Sequence, residues 1–299
     1  MSAITSTAAA AVAPPRRRHP AILFVQQQPL GTIGLAVIVV MALAAIFAPY
    51  VAPYDPLAVD YLALTAPPSW AHPLGSDQYG RDILSRIIFG ARTALSVGIL
   101  SSLIGCSIGA LIGATSAYFG GKIDLIIQRL IDVLLAYPII VLAMVVVAVL
   151  GKNVVLGVDI NLVTAIAIPI VPKMARVARS STLSLASMPF IDAARAAGFS
   201  HTRIVLRHIL PNIVAPFLIL FTAFIAQAIL LEASLSFLGL GVTEPTPAWG
   251  LMLSGSSADF YERAPWMILF PGLAISLAVF AFNLFGDSLR DWLDPKMKV

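Results

Sequence analysis

Charge is scarce in this sequence. Only 11% of its 299 residues are Asp, Glu, Lys or Arg, whereas 59% are hydrophobic, and the mean hydropathy is +0.92. Soluble globular chains are about 25% charged and roughly 45–50% apolar. The composition therefore excludes an ordinary soluble domain and predicts an integral membrane protein.

Cysteine and the common nucleotide and metal motifs are also lacking. The single cysteine, Cys106, lies in an apolar run, which excludes a disulfide framework. Neither a G-x-x-x-x-G-K-[ST] phosphate-binding loop nor an H-E-x-x-H zinc motif occurs. The scattered histidines are His19, His72, His201 and His208. The sequence therefore predicts no ATP, cofactor or metal bound by this chain and no catalytic residue.

What the chain does contain is six long apolar runs. Each is long enough to cross a hydrocarbon core of about 30 Å, which takes roughly 20 helical residues. Lipid-facing strands would alternate with polar residues, so these continuous runs favour helices. The runs cover about residues 30–51, 94–119, 125–150, 154–177, 213–238 and 266–286. We predict an all-α fold with six transmembrane helices.

The first run has an alternative interpretation as a secretory signal peptide, because Arg16, Arg17 and Arg18 precede it. A signal peptide has an apolar region of only about 7–15 residues, and this run has about 20. We therefore interpret it as a membrane anchor.

Lys and Arg indicate the orientation, because they concentrate in cytosolic segments. With the N-terminus inside, fourteen of the 19 lie in the cytosol: Arg16, Arg17, Arg18, Lys122, Arg129, Lys173, Arg176, Arg179, Arg195, Arg203, Arg207, Arg290, Lys296 and Lys298. The other five lie outside: Arg81, Arg86, Arg92, Lys152 and Arg263. This distribution predicts that both termini are cytosolic.

The predicted organisation has five parts. A cytosolic tail (1–28) precedes the first transmembrane helix (29–51), and a periplasmic loop (52–93) follows. Within that loop, residues 82–91 place Ile83, Ile87 and Ile88 on one face, which indicates a short amphipathic helix at the membrane interface. A five-helix core (94–290), which includes a loop at 179–212, leads to a cytosolic tail (291–299).

The longest basic segment, residues 171–216, holds six of the Lys and Arg residues. Good helix formers at 192–197 followed by Gly198 predict a short helix with a glycine C-cap. Ala193, Ala194, Ala196 and Ala197 would give this helix a small, smooth surface suited to a partner's groove. The alternative is a solvated basic loop that only sets the orientation.

Glycines and prolines mark the membrane helices. Gly105, Gly109 and Gly113 recur every four residues, a pattern that lets two helices approach closely. The partner could be another helix of this chain or a second membrane subunit. Pro138 should kink the third span near its middle, and Pro169 and Pro172 should kink the fourth near its cytosolic end.

Glu232 is the clearest ionisable residue within a span. Such residues are candidates for a functional role. The alternative is that Glu232 lies near the outer end of its helix and makes a local cap or pair.

The basic segment resembles the EAA loop of membrane subunits of bacterial ABC importers. That pattern is Glu-Ala-Ala, three residues, Gly, nine residues, then Ile-x-Leu-Pro. Asp192 replaces the Glu and His208 stands where the Ile is expected, with Ile209 beside it. The residues assigned to this loop are Asp192, Ala193, Ala194, Ala197, Gly198, Leu210 and Pro211.

Further segments are similar to the dipeptide/oligopeptide/nickel class of these permeases. They are HPLGSDQYGRD at 72–82, EASLSFLGLG at 232–241 and NLFGDSLRDWLDP at 283–295. The resemblance covers about residue 29 to the end, and the motif order fits the second permease of the pair.

The resemblance implies a heterodimer of two permeases in the bacterial inner membrane. Two cytosolic ATPase subunits would bind ATP and Mg²⁺, and a periplasmic or lipid-anchored protein would deliver substrate. The helix at 192–198 would sit in a groove of one ATPase and pass its motion to the spans.

Short peptides are the expected substrates, with nickel chelates, opines and sugars as alternatives within the class. Outside it, an ion-coupled carrier or channel would predict more charges within the spans. An intramembrane enzyme would need a nucleophile, carboxylate pair or metal set there.

Overall fold

The computed structural model describes residues 20–254, 260 and 262–293. The described chain is mainly helical, and its helices are α1 (Pro20–Gln27), α2 (Pro29–Ile46), α3 (Ala48–Val51), α4 (Ile83–Phe119), α5 (Gly121–Leu135), α6 (Ile139–Leu150), α7 (Ile160–Ala167), α8 (Ile170–Ala186), α9 (Pro189–Ala196), α10 (His201–Ile204), α11 (Val214–Phe237), α12 (Trp249–Met252) and α13 (Trp266–Leu293). Strands β1 (Val154–Val155) and β2 (Val158–Asp159) form an antiparallel hairpin.

Within the described ranges, four uninterrupted helical stretches are long and apolar enough to cross a membrane. They are α2, α4, the stretch from α10 through α11, and α13. Two bent pairs, α5 with α6 and α7 with α8, raise the number to six if each pair is one span. This arrangement confirms the prediction of an all-α membrane fold.

The N-terminal region differs from the predicted tail of residues 1–28. Residues 1–19 lie outside the described part, and residues 20–27 of the predicted tail form helix α1. Pro29 occupies the first turn of α2, where its missing N–H costs no helical hydrogen bond. The predicted first span is divided into two helices, because α2 ends at Ile46 and α3 begins after Phe47.

The separate interfacial helix predicted at 82–91 is wrong. Residues 83–119 form one helix of 37 residues, so the predicted boundary at residue 93/94 falls inside α4. Asp82 caps this helix by accepting hydrogen bonds from Ser85 N (2.8 Å) and Ser85 Oγ (2.7 Å). At the predicted boundary, no glycine or proline interrupts the helix between Arg92 and Ala94. Arg92 Nε donates a hydrogen bond to Ala45 O at 3.0 Å. The polar turns thus pack against protein instead of lying along the membrane surface.

The third and fourth spans are bent at Pro138 and Pro169, as predicted, whereas α8 continues through Pro172, where a kink was also predicted. The helix axes of α5 and α6 differ by 93° at Pro138, and those of α7 and α8 differ by 44° at Pro169. The fourth span runs later than predicted, since residues 154–159 form the hairpin and α8 continues to Ala186. Its bend therefore follows the 8 residues of α7 and precedes the 17 residues of α8, instead of lying near the end of the span, and residues 179–186 of the predicted loop are helical.

The C-terminal boundary is also shifted. Helix α13 continues to Leu293, because residues 287–293 carry no helix breaker, so the predicted tail at 291–299 begins inside a helix. Residues 294–299, which include Lys296 and Lys298, lie outside the described part.

Helix α4 lies at the centre of the fold and packs along α7 and α8. A Cβ added to Gly105, Gly109 or Gly113 would lie 2.8, 2.5 or 2.1 Å from a backbone oxygen of Ala167, Val171 or Ala175. Backbones this close leave no room for a side chain. The glycine ridge therefore serves packing within this chain, which decides between the two alternatives.

Candidate functional site

Helix α9 is the predicted short helix, and local sequence explains both of its ends. Met188 is extended and Pro189 opens the first turn, where proline is preorganised for a helix. Gly198 adopts φ +76°, a left-handed conformation that favours glycine. Gly198 N donates to Arg195 O (3.0 Å) and Phe199 N to Ala194 O (3.2 Å), so the predicted glycine C-cap is confirmed.

The alanine surface of α9 is narrower than predicted. Ala193, Ala196 and Ala197 are exposed, but Ala194 is buried in the core beside Ile191. Residues 191 and 194 are three apart and therefore share one helix face. Ala194 thus belongs to the face that anchors α9, and its assignment to the docking surface is wrong.

The charges on α9 remain near solvent. Asp192 lies in the first turn and pairs with Arg195 one turn later, with Arg195 Nη1 donating to Asp192 Oδ1 at 3.2 Å. The two side chains are 68% and 43% exposed. An exposed pair of this kind contributes little to stability. The face that carries Asp192, Ala193 and Ala196 is thus free of strong internal bonds.

Leu210 and Pro211 lie in a helical segment that joins α10 to α11. Residues 205–209 form a π-helical turn and residues 210–213 a 3₁₀ turn. Leu210 N donates to Val205 O, five residues back. Pro211 has no N–H to donate, which explains why the regular helical ladder is interrupted here. Leu210 packs against the core and Pro211 is exposed.

Glu232 lies near the other end of α11 and is fully buried. Ser236 Oγ donates to Glu232 Oε1 at 2.7 Å and itself accepts from Val242 N at 3.0 Å. The second carboxyl oxygen has no hydrogen-bond partner among the described residues. Glu232 therefore makes the local pair, with Ser236, that the alternative interpretation predicts. Glu232 lies near the end of α11, and Pro211 lies just before its start. The length of α11 therefore separates Glu232 from the segment that carries α9.

A second polar cluster, which the sequence did not reveal, lies at the start of α4. Arg81 Nε donates to Asp77 Oδ2 at 2.6 Å, and Arg81 Nη1 donates to Glu244 Oε2 at 2.8 Å. Arg86 Nη2 approaches Glu244 Oε1 at 3.5 Å. A cavity of about 220 Å³ adjoins the cluster. Arg81 and Glu244 are 163 positions apart in the sequence, which explains why no local motif predicts this pair.

Electrostatics hold this cluster in its charged form. Burial opposes the charge on Arg81, but the hydrogen bond with Glu244 and the nearby Asp77 carboxylate outweigh it and raise the pKa of Arg81. Burial likewise opposes the charge on Glu244, yet the hydrogen bond from Arg81 and the charge of Arg86 lower the pKa of Glu244. The cluster is a structural tie between the loop before α4 and the loop after α11.

The described residues contain no group of three or more His, Cys, Asp or Glu side chains that could hold a metal ion. The exposed face of α9 carries small alanine side chains beside the Asp192–Arg195 pair.

Two protein families match segments of this chain. Residues 105–299 match the family described as "Binding-protein-dependent transport system inner membrane component". Residues 26–68 match the "N-terminal TM domain of oligopeptide transport permease C".

Individual relatives cover nearly the whole chain. The dipeptide transport system permease protein DppC of Haemophilus influenzae is 41% identical over 272 residues, which are 89% of this chain and 90% of that protein. The glutathione transport system permease protein GsiD of Pectobacterium atrosepticum is 45% identical over 276 residues, 92% and 89% of the two chains.

A solved structure has the same fold. It shows inward-facing conformations of the MetNI methionine ABC transporter, with a TM-score of 0.51 and 17% sequence identity over 70% of this chain and 96% of that one. Together with the family match over most of the sequence, these similarities fix the family: the chain belongs to the inner-membrane components of binding-protein-dependent transport systems.

Proposed function

We propose that this chain is one of two membrane subunits of an ATP-driven importer of di- and oligopeptides. A homologous second permease would complete the pathway, and two ATPase subunits would bind ATP and Mg²⁺. A periplasmic or lipid-anchored binding protein would deliver the peptide. The relatives named for dipeptide and glutathione transport support a peptide substrate.

The observation that carries the coupling role is the exposed face of α9. Ala193, Ala196 and Ala197 present a small surface, while Ile191 and Ala194 are buried in the core and fix the helix to the chain. A surface of this shape suits a groove on a partner protein. We assign that partner as an ATPase subunit, and we place α9 and both termini in the cytosol.

The proposed mechanism is mechanical. ATP-driven closure of the two ATPases would displace α9 as a rigid body, and the spans attached to it would follow. Peptide access would then alternate between the two sides of the membrane. This chain would supply the pathway and the coupling contact, and its partners would supply the hydrolysis.

The experiment is a reconstitution of the full complex in proteoliposomes, with dipeptide uptake and ATP hydrolysis measured together. Ala196→Leu enlarges the exposed face, and Gly198→Pro forbids the φ of +76°. Both variants should insert and assemble but import fewer dipeptides for each ATP hydrolysed.

Ala71→Leu is the matched control, since Ala71 is an exposed alanine on the loop before α4. It should leave the ratio unchanged. Normal uptake and normal ATPase activity in both the Ala196 and Gly198 variants would refute the coupling role. Failure of the wild-type complex to import any dipeptide would refute the substrate assignment instead.

A further inference from the structure

Tyr118, in the last turn of α4, contacts the coupling segment, residues 189–204. Tyr118 is buried and belongs to the same hydrophobic core as Ile191 and Ala194 of α9. The guanidinium carbon of Arg195 lies 5.3 Å from the centre of the Tyr118 ring, within the range of a cation–π contact. One side of Tyr118 thus contacts α9.

The same tyrosine also contacts α10. Tyr118 Oη and His201 Nδ1 lie 2.8 Å apart and share a hydrogen bond. The Phe119 ring adds a second aromatic contact, with its centroid 5.6 Å from that of His201. His201 begins α10, on the far side of the glycine turn at 198. Tyr118 therefore bridges the two helices that flank this turn.

Helix α4 is uninterrupted and closely packed, so we expect it to move as a rigid body. The close approach of Gly105, Gly109 and Gly113 to α7 and α8 leaves no space in which α4 could slide separately. Its 37 residues are uninterrupted, which at 1.5 Å per residue gives a length of about 55 Å. A displacement at Tyr118 would accordingly reach the beginning of α4.

The beginning of α4 holds the loop that follows α11. Trp249 Nε1 donates to Ile87 O at 3.0 Å, and Thr93 Oγ1 donates to Pro247 O at 2.9 Å. Arg81 and Arg86 pair with Glu244 in the same loop. Helix α4 therefore contacts the coupling segment at its C-terminal end and the loop after α11 at its N-terminal end.

We infer that Tyr118 is a positioning residue that transmits the displacement of α9 and α10 to α4, and through α4 to the loop at 242–252. This inference rests on the proposed coupling role of α9. It adds a defined route within the chain and names the Tyr118–His201 hydrogen bond as its first link.

The test is a double-mutant cycle in the reconstituted complex, with ATP hydrolysed per imported dipeptide as the readout. Tyr118→Phe keeps the ring and the Arg195 contact but removes the hydroxyl. Losing one hydrogen bond in the active arrangement should raise the ratio about threefold to tenfold. His201→Ala should give a similar rise, and the double variant should be no worse than either single one.

His201→Asn provides the rescue, because its side-chain amide can replace Nδ1 as a hydrogen-bond partner. It should return the ratio close to the wild-type value. Tyr61→Phe is the matched control, since it removes the hydroxyl of a tyrosine that is 80% exposed on the loop before α4. It should leave the ratio unchanged.

The outcomes separate this inference from the function on which it rests. If Ala196→Leu uncouples the complex but Tyr118→Phe does not, the route through Tyr118 is wrong and the coupling role stands. If the effects of Tyr118→Phe and His201→Ala multiply, the two residues act independently and the inference also fails. If neither Ala196→Leu nor Gly198→Pro has an effect, the coupling role itself fails.

Discussion

Charged pairs lie near both ends of α4, but they differ in how much solvent reaches them. Near Asp82, charged side chains are buried and paired inside the chain, as in the contacts of Arg81 with Asp77 and Glu244. Near Tyr118, the charged pair on α9 is long and mostly exposed. Buried charges require good internal partners, whereas exposed ones can exchange them for water or another protein.

This difference matches the proposed role of α9 as the contact with an ATPase subunit. The cluster at Asp77, Arg81, Arg86 and Glu244 satisfies itself and fixes one loop on another. The exposed face of α9 makes few bonds, and its core-facing side alone secures its position. The proposed coupling mechanism requires both features, because a contact surface would move the membrane helices only if the chain behind it is rigid.

The largest expected effect is at the buried end. Arg81→Met removes one of the two arginines that face Asp77 and Glu244, and it leaves the buried Asp77 carboxylate without its 2.6 Å partner. Breaking a buried pair costs about 3–5 kcal/mol in the free energy of unfolding. Chemical denaturation of the purified chain in detergent measures the loss.

Arg207→Met is the matched control for this comparison, because Arg207 is an exposed arginine next to the coupling segment. Its effect should stay within about 0.5 kcal/mol. Equal losses in the two arginine variants would break the contrast between the ends.

The sequence predicted the features that are local. Apolar runs predicted the spans, Pro138 and Pro169 predicted the bends, and Gly198 predicted the end of α9. Each of these signals acts through the backbone of its own neighbourhood, so reading along the chain is sufficient. Sequence similarity to known permeases then identified the family.

Features that depend on packing were missed or mistaken. Ala194 looked like part of a smooth surface, but three-dimensional packing turns it inward with Ile191. The pairs of Arg81 with Glu244 and Tyr118 with His201 join residues 163 and 83 positions apart. Helix α4 also includes the predicted interfacial helix, because residues 83–94 contain no proline and several of their side chains are buried in protein.

A smaller effect concerns pH at the same cluster. The folded chain lowers the pKa of Glu244, so its ion pairs stabilise the fold above the ordinary glutamate pKa of about 4.3. This contribution is lost as the pH falls through the lowered pKa of the folded state. Because the Glu244 side chain is 45% exposed, solvent limits the contribution to about 1 kcal/mol.

Glu244→Gln should therefore be less stable than wild type at pH 7, and the difference should shrink as the pH is lowered below the ordinary glutamate pKa of about 4.3. Denaturation midpoints of the two proteins across this range measure it. A difference that stays constant with pH would assign the role of Glu244 to packing and not to its charge.

The smallest effect is expected on α9. Asp192→Asn weakens a pair whose two side chains are 68% and 43% exposed, so the free energy of unfolding should change by less than about 0.5 kcal/mol. Asp77→Asn is the matched comparison, because it makes the same change at a buried carboxylate held by Arg81. Denaturation of both variants under one condition ranks the two ends directly. A loss at Asp192 as large as that at Asp77 would mean that α9 is held by its charges, and its exposed face could not then be the part of the chain left free for a partner.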